Sequence, residues 1–190
     1  METDDHPSNG ESADLRSPER IEEALWVLRA REGDSEAFAR LMSRHERPLL
    51  YYLRRFISQP DAALDAHQEV WLDVFRGIRR LRAPEAFRAW LYRVAHAKAM
   101  RLVRDEIFDS EHTASLDELD EVALVTTPMD AEAVHQALDR LSPSQREALT
   151  LHYLHDLSLA EIATATDCSV GTVKSRLHYA RLALRRQLER

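Results

Sequence analysis

The chain has 190 residues, a net charge of −7, four glycines and one cysteine. That length suits one or two small domains, and the lone Cys168 excludes an internal disulfide framework and a multi-cysteine zinc site, which points to the reducing cytoplasm. No stretch approaches the ~18 apolar residues of a spanning helix, and the N-terminus lacks the basic start and apolar run of a signal peptide, so neither membrane insertion nor export is expected.

Few turn residues and runs such as ALWVLRA and LALRRQL predict an all-α fold of two small helical domains. Residues 1–20 carry six acids against two arginines and almost no apolar content, and read as a disordered acidic arm. Ile21, Ala24, Leu25 and Leu28 then have helical spacing, and Gly33 followed by Asp34 ends one helix and caps the next. The second helix presents Phe38, Leu41, Met42, His45, Leu49, Leu53 and Phe56 on one face and stops before Pro60-Asp61. In the third, His67, Val70, Trp71, Val74, Phe75 and Ile78 form a continuous apolar stripe. Pro84 suits the first turn of a fourth helix with Phe87, Trp90, Leu91, Val94 and Leu102 inside. Trp90 lies on that stripe and is assigned to core packing rather than to base stacking.

Charge is distributed unevenly along this chain. Residues 105–130 hold nine acids and no Lys or Arg, so outside the two acidic segments the remainder is +6. From Arg76 to Arg104 nine basic residues face the single acid Glu85, a footprint suited to a polyanion. Residues 21–104 thus form a basic helical domain, 105–130 an acidic flexible linker, and 131–190 a second domain. In the latter, Ser142-Pro143-Ser144-Gln145 and Ser158-Leu159-Ala160-Glu161 fit the capping box. Asp167-Cys168-Ser169 is the turn between two helices joined by Leu159, Ile162 and Ala163 against Val170, Val173, Leu177, Ala180 and Leu184. Left outside are Gly171, Thr172, Lys174, Ser175, Arg176, His178 and Arg181, small and basic side chains near a helix N-terminus, as entry into a DNA major groove requires.

LSPSQREALTLHYLHDLSLAEIATATDCSVGTVKSRLHYAR resembles region 4 of bacterial sigma factors of the extracytoplasmic-function (ECF) group. DAALDAHQEVWLDVFRGIRRLRAPEAFRAWLYRVAHAKA resembles region 2 of the same group. The resemblance implies a promoter-specificity subunit that binds core RNA polymerase and recognises and melts promoter DNA. The third helix, with Asp65, Gln68, Glu69, Leu72 and Asp73 outward, would meet the β′ coiled coil, and the second domain the β flap. Arg79, Arg80, Arg82, Arg88, Arg93, His96, Lys98 and Arg101 would serve the minus-ten element, and the outward residues from Gly171 to Arg181 the minus-thirty-five element. An anti-sigma factor is a further partner of this group. Two departures stand out. His96-Ala97 replaces the usual Arg-Asn and Arg101 a common acid, which removes a base-reading amide, and Asp167 stands where glycine is frequent. Aspartate tolerates the left-handed backbone, so the turn is expected to survive.

His152 and His155 lack the neighbours of a metal set, and no phosphate loop or nucleophile motif occurs, so neither cofactor nor catalysis is expected. From the residues alone, the chain also fits a helix-turn-helix regulator that recruits no polymerase, or a helical interaction module that binds no DNA.

Overall fold

The computed structural model describes residues 17–110, 138 and 140–188, and among these there is no strand. Helix α1 (Pro18–Arg31) starts earlier than its apolar spacing suggests. Ser17 caps it, with Pro18 at the first position, and Arg20 is already buried, so the end of the expected arm is helix. At the other end Gly33 takes φ +98°, which favours glycine, and the Asp34 carboxylate accepts from the Glu36 and Ala37 amides at 2.9 and 3.0 Å to start α2 (Ser35–Arg54).

Helix α3 (Pro60–Gly77) begins with proline at N1, and two 3-10 turns, Ile78–Arg80 and Pro84–Ala86, lead into α4 (Phe87–Ser110). Leu41, Leu49, Leu53, Val70, Val74, Ile78, Phe87 and Leu91 close a four-helix core. Phe75 departs from the expected stripe: it is 60% exposed and makes an edge-on contact with Phe38, ring centroids 5.2 Å apart. Trp90 packs over Gly77, where a Cβ would lie 2.7 Å from the indole Cζ2. Gly77→Ala is therefore expected to destabilise by about 1–3 kcal/mol despite alanine's higher helix propensity, because the indole ring must shift. A calorimetric midpoint equal to or above wild type would refute this packing.

The acidic linker expected over 105–130 begins as helix, since α4 continues to Ser110; residues 111–137 lie outside the described set. The C-terminal half contains α5 (Pro143–Leu149), a π-helical turn (Thr150–Leu154), α6 (Leu159–Ala165) and α7 (Val170–Leu188). Both expected capping boxes are present, Ser142 with Gln145 and Ser158 with Glu161. Between them Asp156 adopts φ 51°.

The two halves are docked, and their buried side chains form one continuous cluster. The seam is partly polar. Tyr52 Oη donates to Glu147 Oε1 at 2.6 Å, and Arg20 donates to Glu161 and to the Asp156 carbonyl, both at 2.6 Å. His155 stacks on Tyr92 with ring centroids 4.9 Å apart. Burial, with a smaller contribution from the His45 charge, pushes its imidazole down to about 4, so it packs as a neutral aromatic ring at pH 7.

Candidate nucleic-acid interface

The turn before α7 is closed by local chemistry. Asp167 takes the left-handed backbone (φ 49°) expected of it, and the Cys168 amide donates to the Ala163 carbonyl at 3.0 Å. Ser169 caps the helix, its Oγ accepting from the Thr172 amide at 3.0 Å. Val173, Leu177 and Ala180 are buried, and Leu184 partly so. Val170, expected inside, is 40% exposed, because it occupies the first turn, beyond the reach of α6. With that face fixed, Gly171, Lys174, Ser175, His178 and Arg181 are exposed and Thr172 and Arg176 half-buried. Arg176 Nη1 lies 3.7 Å from Cys168 Sγ, and Arg181 Nε donates to the Leu177 carbonyl at 3.3 Å, each leaving further guanidinium donors. The geometry is that of a helix-turn-helix whose second helix presents a basic face at its N-terminal end.

On the N-terminal half the basic residues divide into two sets. Arg79, Arg80 and Arg82 are exposed on and beside the 3-10 turns, and Arg93 and Arg101 are exposed on α4, with Arg101 Nη2 3.9 Å from the exposed Glu69 carboxylate. Three others are engaged within the protein. Arg88 Nε and Nη2 lie 2.8 and 3.1 Å from the two Glu23 oxygens. Lys98 is buried and paired with Glu69 of α3. His96 Nδ1 is 2.7 Å from Glu147 Oε1 in the C-terminal half. The Glu23 carboxylate, itself buried, also meets His45 Nε2 at 2.8 Å. Burial acts to raise its carboxyl, but hydrogen bonds from His45 and Arg88 outweigh this and bring it down to about 2.

The outer face of α3 keeps Asp65, Gln68, Glu69, Leu72 and Asp73 exposed, with Leu72 at 51%. Leu64 and Phe75 are exposed too, and positions 64, 68, 72 and 75 share one stripe of the helix. This apolar stripe, ringed by carboxylates, is wider than the single leucine read from the sequence. Phe75 escaped notice because periodicity placed it inside, and Leu64 because a lone leucine in an alanine-rich first turn carries no signal of its own. Among the described residues no group of three or more His, Cys, Asp or Glu side chains is placed to hold a metal, and no helix is long and apolar enough to cross a membrane.

A helical chain with an apolar, acid-rimmed face on one half and a basic helix-turn-helix on the other has the design of a factor that joins DNA to a larger machine. Both halves match family models, "Sigma-70 region 2" over residues 41–107 and "Sigma-70, region 4" over residues 131–184. The RNA polymerase sigma-H factor of Pseudomonas aeruginosa is 33% identical over 178 residues, covering 86% of this chain and 92% of that protein. The ECF RNA polymerase sigma-E factor of Escherichia coli K12 is 30% identical, covering 87% of this chain and 94% of that protein. The chain belongs to the sigma-70 family of RNA polymerase sigma factors, in its ECF group. At the level of fold it is similar to the sigma factor RpoE of Bartonella quintana, solved with the anti-sigma factor NepR (TM-score 0.67, 24% identity, 80% of this chain and 96% of that one). It is likewise similar in fold to CnrH, solved with the cytosolic domain of CnrY (TM-score 0.64, 23% identity, 88% of this chain and 97% of that one).

Proposed function

We propose that this sigma factor joins core RNA polymerase through the outer face of α3, which meets the β′ coiled coil, while the C-terminal half meets the β flap. Helix α7 reads the minus-thirty-five element in the major groove. Arg79, Arg80, Arg82, Arg93 and Arg101 track the minus-ten strand as it separates, and His96 approaches its bases. Arg88 and Lys98 instead hold the domain together, because their partners Glu23 and Glu69 already meet their charge. The core enzyme supplies the catalysis. The factor works in the cytoplasm, and an anti-sigma factor is a partner, as one is for the Bartonella sigma factor in its solved complex.

The observation that carries this reading is α7, whose buried face fixes an outward row of Lys174, His178 and Arg181 beside a capped N-terminus. Lys and Arg in that position reach phosphates or guanine edges. Replacing Lys174 and Arg181 by alanine is expected to weaken holoenzyme binding to promoter DNA by about tenfold or more and to flatten its salt dependence. Core binding should stay unchanged, which a pull-down reads. Promoter binding as tight as wild type across a salt titration would remove α7 from the DNA interface.

A further inference from the structure

Helix α7 buries Val173, Leu177 and Ala180, with Leu184 half-buried beside them. At about 100° per residue, Gly171, Ser175, His178, Tyr179 and Leu182 all lie within about 50° of the pole opposite that stripe, and all five are exposed. The long cations stand off this pole. Lys174 and Arg181 lie on one flank, and Arg176 lies on the other with its Nη1 3.7 Å from Cys168 Sγ. A helix seated in a groove turns its flanks to the phosphate walls and its pole to the base edges, so the cations suit the backbone and base readout falls to the pole. Two small residues there, Gly171 and Ser175, let the helix backbone come close. The following turn carries an aromatic pair.

Tyr179 is the most exposed of the large apolar side chains described on α7, at 59%. The His178 imidazole meets its ring edge to face, with centroids 5.4 Å apart and planes at 74°, so the two rings brace one another on either side of the pole. A single exposed aromatic is ordinary on a protein surface. Its position is what gives this one a role. Gly171, Ser175 and Tyr179 recur every four residues and cover about 12 Å of helix axis, close to the width of the major groove, about 12 Å. The apolar group that a base pair presents in that groove is the C5-methyl of thymine, which cytosine and the purines lack. We infer that Tyr179 is a specificity-determining residue: its ring packs on the methyl group of one thymine in the minus-thirty-five element, and His178 holds the ring for that contact. This rests on the reading of α7 as a major-groove helix.

The test removes the methyl group alone. Holoenzyme is titrated against a duplex promoter fragment at which it starts transcription, and against copies in which each thymine of the minus-thirty-five element, on either strand, is replaced in turn by deoxyuridine. Replacement at one position is expected to weaken binding about fourfold, the size set by burying one methyl group. Tyr179→Phe is expected to keep that ratio. Tyr179→Ala should bind the thymine and deoxyuridine copies equally at that position, with core binding as in wild type. A Tyr179→Ala chain that keeps the wild-type ratio at every position overturns the assignment, and so does an element in which no thymine responds. Core affinity that falls together with promoter affinity in Tyr179→Ala overturns it as well, by giving the ring to the polymerase. Failure of α7 itself has a separate readout. Promoter binding by Lys174→Ala/Arg181→Ala as tight as wild type removes the whole helix from DNA, whereas loss in that variant beside an unchanged Tyr179→Ala ratio removes Tyr179 alone.

Discussion

Replacing Glu23 by alanine is expected to lower the thermal midpoint of the protein by about 10 °C, corresponding to a loss of about 3–5 kcal/mol. Glu23 is buried in the N-terminal half and is the common acceptor for His45 at 2.8 Å and for Arg88 at 2.8 and 3.1 Å. Alanine leaves the Arg88 guanidinium half-buried without its counter-charge, and that orphaned charge, more than the lost bond, sets the size of the effect. The same pair predicts a pH dependence. The Glu23 carboxyl falls from an ordinary 4.5 to about 2 on folding, so its contribution is complete above 4.5 and is lost as pH falls through about 2. A shift of that size corresponds to about 3 kcal/mol, in the range expected for the substitution. In Glu23→Ala the acid limb of the stability curve should flatten between those values. A melting midpoint within about 1 °C of wild type would show that Arg88 finds water or another acid instead.

The second large effect concerns binding rather than folding. Leu72→Ala is expected to weaken association with core RNA polymerase by about 30-fold, as for a central apolar anchor in an interface. Leu72 is 51% exposed, so its own melting curve should stay where it was. In the proposed interface the acids around it would steer a basic partner, contributing more to encounter rate than to affinity. Transcription by the variant should recover as core enzyme is raised to saturation, since the DNA surfaces are untouched. Titration of labelled chain against core enzyme reads the affinity, and a value equal to wild type would take α3 out of the interface. Glu69 is a poorer probe of the same face, because its carboxylate also pairs with the buried Lys98 of α4.

What the sequence made legible follows the range of the interaction concerned. Caps are local: Asp34, Ser142, Ser158 and Ser169 each bond an amide two or three residues ahead, so residue type at short spacing announces the helix start. Asp167 in its left-handed turn is of the same kind. The helix-turn-helix face was legible because one buried stripe determines what lies opposite. Charge pairing across the fold was not. Arg88 meets Glu23 65 positions away, His96 meets Glu147 51 positions away, and Arg20 meets Glu161 141 positions away. Nothing in the spacing of basic residues separates Arg93, which faces solvent, from Arg88, which closes a buried cluster one turn earlier. Periodicity failed for Phe75 for a related reason. A stripe states which residues are apolar, but how far a neighbouring helix extends decides which of them it covers.

In the proposed function this chain directs core RNA polymerase to promoters through α3, α4 and α7. Reconstituted transcription over fragmented genomic DNA, with core enzyme and start sites mapped, tests it most directly. The predicted result is a discrete set of starts absent with core enzyme alone, sharing an upstream and a minus-ten element, and lost with the Lys174→Ala/Arg181→Ala chain or, at core enzyme well below saturation, with the Leu72→Ala chain. The same starts with core enzyme alone, or starts unaffected by either variant, would contradict it.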